Sequence, residues 1–285
     1  MSIFSGIWVP LVTPFDDDVV DHRALARLAS SCLDAGATGL VALGSTGEPS
    51  SLSEAERQEV LTTILDAAKG APVIVGVAGN NVLELHERVL HLNALPLAGI
   101  LVPAPYYVRP SQAGLIAHFT TLADLSTHPV VLYDIPYRTG VRMEIPTLLS
   151  LAAHPNILAI KDCGGSIETT LALILDGRLS VLCGEDIQLF STLCLGGQGA
   201  IAASAHLRCA DFVATYRALS EGRIEEARSV FHGLVPLIQA LTSEPNPAPL
   251  KCALEALGII GHEVRAPMTG VSEPLRNRLA ALVEA

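Results

Sequence analysis

Lys161 closes the apolar run Asn156-Ile157-Leu158-Ala159-Ile160, which sets an amine at the end of a segment built to be buried. A free lysine keeps its proton up to about pH 10.4, so the neutral nucleophile is scarce near neutrality. Burial penalises an ammonium ion, and a lysine drawn into a barrel mouth can therefore present a neutral amine. Such an amine adds to a ketone, and the resulting iminium becomes an electron sink for making or breaking a C–C bond. Tyr133 closes another apolar run. Its phenol can pass protons to and from the carbinolamine and enamine, particularly when hydrogen-bonded to further hydroxyls such as those of Ser45 and Tyr107. Taken singly, a lysine or tyrosine at a strand end also fits snorkelling or packing.

Two neighbouring features bear on anions. Gly44-Ser45-Thr46-Gly47-Glu48 sets glycines beside hydroxyl residues, so backbone N–H groups can converge on a carboxylate; the same residues also fit an ordinary turn. Arg138 follows Tyr133 by five positions, where its planar fork could take a carboxylate at two points or lie solvated on a loop. The nine histidines are scattered without H-E-x-x-H, H-x-H or Cys/His ligand spacing, and Asp16-Asp17-Asp18 reads as a solvated loop. The lack of a G-x-S-x-G elbow leaves serine-hydrolase chemistry without support, and with no metal-ligand spacing and no early glycine-rich dinucleotide loop neither a metal nor a redox cofactor is expected.

These groups need a frame. Short apolar runs recur near 7–13, 39–43, 73–77, 98–102, 130–135, 157–161, 179–183 and 199–203. Continuous hydrophobicity without alternation is expected of parallel strands covered on both faces. Helical spacing fills most gaps: Ser53-Glu54-Ala55-Glu56 reads as a capping box ahead of Val60, Leu61, Ile64 and Leu65, Ser111 opens a second helix, and a helix from about Asp21 stops before Gly36. Eight strands with helical connections predict an α/β fold, a (β/α)8 TIM barrel. Beyond residue 204 the strand signal stops, and segments 207–220, 223–242, 249–258 and 272–283 read as helical. The expected organisation is a catalytic barrel over residues 1–222 and a C-terminal α-helical extension over 223–285. In such a barrel, chemistry belongs at the C-terminal ends of the strands, which is where Lys161, Tyr133, the Gly44–Glu48 loop and Arg138 fall.

Composition narrows the partners. The chain of 285 residues has 50% hydrophobic content and a formal charge of −11, which argues against general nucleic-acid or anionic-membrane binding. The apolar runs are too short to span a bilayer. Six cysteines without a C-x-x-C pair fit reduced, buried thiols, and the first residues lack the basic region of a signal peptide, so a cytoplasmic protein is expected.

Taken together, Gly44–Glu48, Tyr133-x-x-Pro136 and Lys161 resemble the pyruvate-dependent Schiff-base aldolases, the superfamily of dihydrodipicolinate synthase and N-acetylneuraminate lyase, over essentially the whole chain. Three features resemble the dihydrodipicolinate (4-hydroxy-tetrahydrodipicolinate) synthase family more narrowly. They are Pro105-Tyr106-Tyr107-x-Arg109-Pro110-Ser111-Gln112, Tyr133-x-x-Pro136-x-Arg138-Thr139-Gly140, and Glu244-Pro245-Asn246-Pro247-x-Pro249-Leu250-Lys251. The resemblance implies a lyase that condenses pyruvate with aspartate semialdehyde in lysine and diaminopimelate biosynthesis, without a cofactor. It implies an imine on Lys161 and a proton relay of Tyr133, Ser45 and Tyr107, with Tyr107 entering from a neighbouring subunit of a homotetramer built from tight dimers. Thr46 and the Gly47 amide would hold the pyruvate carboxylate, Arg138 the carboxylate of the aldehyde, and Gly184 and Ile201 would line the pyruvate site by backbone groups. The chain departs from the family at Ser45, where a second threonine is usual, at Asp134 in place of asparagine, and at Asp162-Cys163-Gly164. Ser45 is the version found in the lyases and keeps open an aldolase acting on 2-oxo-3-deoxy sugar acids or sialic acids. At the family's lysine-feedback site Asn80, Glu84 and Tyr106 match, while Glu54 and Arg57 replace histidines, which speaks against feedback by lysine.

Overall fold

A computed structural model describes residues 3–284. Its strands are β1 (Gly6–Pro10), a short antiparallel pair β2 (Phe15–Asp16) and β3 (Val19–Val20), β4 (Gly39–Ala42), β5 (Val73–Gly76), β6 (Gly99–Pro103), β7 (Val130–Asp134), β8 (Ile157–Asp162), β9 (Ser180–Cys183) and β10 (Gly199–Ile201). The eight members of the larger sheet close into one parallel barrel in the order β1-β10-β9-β8-β7-β6-β5-β4. The helices are α1 (His22–Asp34), α2 (Glu54–Ala68), α3 (Val82–Leu92), α4 (Gln112–Leu125), α5 (Pro136–Thr139), α6 (Ile145–Leu151), α7 (Ile167–Asp176), α8 (Leu189–Cys194), α9 (Ala205–Ser220), α10 (Ile224–Leu241), α11 (Ala248–Ala256) and α12 (Glu273–Glu284). All eight expected strands are present, and the last four helices match the expected helical tail.

The local signals act as their chemistry requires. Ser53 Oγ accepts from the Glu56 N–H at 3.3 Å while Glu56 Oε2 accepts from the Ser53 N–H at 2.7 Å, so the capping box satisfies two otherwise open donors. Ser111 caps α4 through the Gly114 N–H, and Asp21 caps α1 through the Ala24 N–H. Beyond α1, Gly36 takes the left-handed φ of +98° that stops the helix.

The described residues form two compact units, residues 3–6 with 73–201 and residues 7–72 with 202–284. In the first, β5 to β10 run side by side in parallel register. Val130, Val131 and Leu132 of β7 and Ala159 and Ile160 of β8 are fully buried, the reason these strands show no polar alternation. Tyr133 stands beside Lys161, and Asp134 beside Asp162. Since side chains alternate across a strand, the Tyr–Lys pair and the Asp–Asp pair lie on opposite faces.

In the second unit β1 pairs with β4 in parallel, and α1 and α2 share it with α9 to α12. Asp16-Asp17-Asp18 is not merely a solvated loop. Asp17 and Asp18 have φ of +49° and +62° and form the tight turn of the β2–β3 hairpin, and Asp18 Oδ1 pairs with Arg265 Nε at 2.8 Å.

Candidate active site

Lys161 and Tyr133 form the core of the site in the first unit. Each is 5% exposed, and the lysine Nζ sits 4.5 Å from the centroid of the tyrosine ring. The in-register pairing of β7 and β8 sends both side chains the same way, placing an amine against an aromatic face. Gly184, just past β9, makes room for this pair. A side chain there would begin 3.0 Å from Lys161 Cγ and would collide with Cys163 Sγ. Its N–H donates to the Asp162 carbonyl at 2.9 Å, which ties the end of β9 to β8. The Cys163 thiol is driven well above its ordinary pKa, first by burial and despite the opposing charge of Lys161, so it stays protonated beside the amine. Ile201 ends β10 and is fully buried.

Across the strands lie Asp134 and Asp162, 1% and 8% exposed. Asp162 accepts from the Gly164 N–H at 2.9 Å and the Thr170 hydroxyl at 2.5 Å, while Asp134 accepts from the Met143 N–H at 3.2 Å. Both crowd the space in front of Gly164: a Cβ there would lie 2.8 Å from Asp134 Oδ2 and 3.2 Å from Asp162 Oδ1. Burial pushes the Asp134 carboxyl up to about 6; the Met143 N–H opposes this, the Asp162 charge adds to it, and Arg142 opposes it.

After Tyr133 the chain turns through α5, with Pro136 at its start and Gly140 closing it at φ +76°. Arg138 is exposed on this turn. Its neighbour Tyr137 donates its hydroxyl to Glu185 Oε1 at 3.0 Å, linking the segments that follow β7 and β9. The Tyr107 N–H donates to the Thr139 carbonyl at 3.2 Å. The Tyr107 side chain itself is 88% exposed and rides on a backbone with φ of +71°, an uncommon conformation for a bulky residue.

In the second unit Ser45–Gly47 forms one 3-10 turn, flanked by Leu43 and Glu48 with φ of +54° and +52°. Thr46 is buried, and its Oγ1 accepts from Asn246 Nδ2 at 3.1 Å; the Gly47 carbonyl accepts from the Thr13 hydroxyl at 2.7 Å. Glu48 is buried with Lys251 Nζ at 2.5 Å from its Oε1. Sequence reasoning overlooked these supporting roles of Thr13, Asn246, Glu48 and Lys251. A usable signal existed, because Glu48 and Lys251 are acid and base within two motif segments that are otherwise poor in charge.

The structure therefore brings Lys161, Tyr133 and Gly184 together, places Ile201 at the end of the last barrel strand and Arg138 on the turn after Tyr133, and leaves Tyr107 at the surface. Ser45, Thr46 and Gly47 share a separate, tightly held turn. Residues 3–285 match the model of the dihydrodipicolinate synthetase family. A protein of Syntrophus aciditrophicus named 4-hydroxy-tetrahydrodipicolinate synthase is 36% identical, over 99% of this chain and 98% of its own. A crystal structure of dihydrodipicolinate synthase from Thermotoga maritima superposes with a TM-score of 0.96 at 31% identity, over 99% of this chain and 98% of the other. A structure described as a monomeric dihydrodipicolinate synthase variant does so with a TM-score of 0.96 at 30% identity, over 99% and 96%. Sequence and fold agree over nearly the whole length, and the chain belongs to the dihydrodipicolinate synthetase family.

Proposed function

We propose that this protein condenses pyruvate with L-aspartate 4-semialdehyde to give 4-hydroxy-tetrahydrodipicolinate, through a Schiff base on Lys161. The observation that carries the reading is the buried Lys161–Tyr133 pair, with Nζ 4.5 Å from the ring centroid. In this reaction the Lys161 amine adds to C2 of pyruvate, and loss of water gives the imine. Removal of a methyl proton gives an enamine, whose carbon attacks the aldehyde. The amino group of the semialdehyde then replaces Lys161 on C2 and closes the ring, which frees the enzyme. Tyr133, with Ser45 and Tyr107, carries the protons. Thr46 and the Gly47 amide take the pyruvate carboxylate, Gly184 and Ile201 line its site by backbone groups, and Arg138 takes the carboxylate of the aldehyde.

Tyr107 acts from a neighbouring subunit of a homotetramer assembled from tight dimers. Its 88% exposure and positive φ support this role, since the described residues leave the ring largely uncovered. No helix among the described residues is long and apolar enough to cross a membrane, and we place the enzyme in the cytoplasm.

The experiment is a substrate screen. Turnover of pyruvate with aspartate semialdehyde is expected. Failure with that aldehyde, together with cleavage of a 2-oxo-3-deoxy sugar acid or a sialic acid, would replace this reading with the lyase alternative that Ser45 keeps open.

A further inference from the structure

The C-terminal segment holds the Ser45–Glu48 turn by charge as well as by packing. Lys251, on α11, is 0% exposed and forms an ion pair with Glu48, also buried, while the Glu263 charge adds a weaker attraction. The ammonium donates to the Glu263 carbonyl at 2.7 Å and lies 4.1 Å from the centroid of Phe15. The Arg265 guanidinium lies 4.5 Å from the same centroid, and the Arg265 N–H donates to Glu48 Oε2 at 3.1 Å. Glu48 Oε1 receives no aligned hydrogen bond among the described residues, so the ammonium is what compensates it. From the same segment Asn246 donates to Thr46 Oγ1 at 3.1 Å.

A buried ion pair is a poor source of stability, because desolvation offsets its attraction and an apolar pair of equal volume often does as well. What it does supply is direction. Glu48 occupies the left-handed region at φ +52°, ψ +42°, a conformation that costs a non-glycine residue about 1 kcal/mol and that sets the exit angle of the turn carrying Thr46 and Gly47. An oriented carboxylate can hold that backbone in place where an apolar side chain could slide.

We propose that Lys251 is a positioning residue: by fixing Glu48 it holds Ser45, Thr46 and Gly47 in the conformation that receives the pyruvate carboxylate. The inference rests on the condensation reading above and deepens it. It assigns the helical tail a part in binding the first substrate and none in binding the second.

The test uses the full-length variants Lys251→Met, Glu48→Gln and the pair combined, each checked for folding by circular dichroism. The pyruvate concentration giving half-maximal borohydride trapping is measured alongside the KM of the aldehyde. Losing an oriented contact to a carboxylate is worth about tenfold or more in affinity. The half-saturating pyruvate concentration should rise by about that factor in each variant, with the aldehyde KM within about twofold of wild type. Amide exchange at residues 45–48 should speed up in parallel, and this readout stands if Lys251→Met folds poorly, because Glu48→Gln is nearly isosteric. Unchanged half-saturation and unchanged exchange in folded variants, or an equal loss for both substrates, would overturn the proposal. Failure of the wild type to trap pyruvate would instead overturn the condensation reading, leaving amide exchange to decide whether Lys251 orders the turn.

Discussion

Asp134→Asn should stabilise the protein at neutral pH and do nearly nothing for it in acid. Asp134 is buried beside Asp162, and its carboxyl is pushed up to about 6 from an ordinary 3.8. Below about pH 4 the group is protonated in both folded and unfolded chains and contributes no pH-dependent difference. As pH rises from about 4 to about 6 the unfolded chain gives up this proton while the folded one retains it, so stability falls across that window and is flat above it. The gap, at about 1.4 kcal/mol per pH unit, amounts to about 3 kcal/mol. Asparagine keeps an acceptor for the Met143 N–H and can donate to Asp162, with no charge to bury. Melting of variant and wild type by scanning calorimetry at pH 4.5 and pH 7.5 gives the double difference directly. About 2 of those 3 kcal/mol fall between the two pH values, so the advantage of the variant should grow by about 4 °C or more, on a scale of about 2–4 °C per kcal/mol. Subtraction is necessary because His206 works the other way in wild type. Equal advantages at both pH values, or a variant less stable than wild type at pH 7.5, would refute the burial argument.

Other outcomes follow from the same geometry. His206 is buried with Nε2 accepting from the Val12 N–H at 3.2 Å, which leaves Nδ1 to donate to the Ala203 carbonyl at 2.7 Å and fixes a neutral ring. Burial lowers its pKa from 6.5 to about 4, so its stabilising effect is complete above about pH 6.5 and is lost as pH falls through 4, about 3 kcal/mol in all. His206→Gln should therefore flatten the acid side of the stability–pH curve, and an unchanged acid limb would count against this assignment. Gly184→Ala should slow imine formation at least about tenfold and cost about 1–3 kcal/mol, with partial recovery on adding Cys163→Ala, which removes the colliding sulfur. Pyruvate trapping rates and melting curves of the single and double variants check this. Arg138→Ala should cut kcat/KM for aspartate semialdehyde by about a hundredfold, through loss of a bidentate carboxylate contact, while imine trapping with pyruvate alone stays normal. A trapping defect of similar size would move Arg138 to the other substrate.

Much of the fold is readable in the chain because a barrel strand is covered on both faces. Val130–Leu132 and Ile157–Ile160 are continuous apolar runs for that reason, and each ends in a polar residue where the barrel opens. Helix starts were legible wherever a side chain caps, as at Ser53, Ser111 and Asp21. The β2–β3 hairpin was not, since two-residue strands are too short to show a period and its turn uses Asp17 and Asp18, which favour ordinary loops equally. At the site, Lys161 and Tyr133 could be found because each closes its run at the expected end. The supports could not: Asn246 and Thr46 are 200 positions apart, and nothing local announces their meeting. Asp134 reads in the sequence as one more acid at a strand end, yet its raised pKa comes first from burial, with the nearby Asp162 charge adding to it, and both follow from how the strands pack. Exposure of Tyr107 is likewise a property of the fold and not of its motif.

Everything proposed for the reaction depends on the Lys161 amine. Incubation with pyruvate followed by borohydride reduction and peptide mapping should place one reduced pyruvyl adduct on the peptide carrying Lys161, and Lys161→Ala should abolish it. An adduct on another lysine, or none on a folded and saturated protein, would contradict the Schiff-base mechanism.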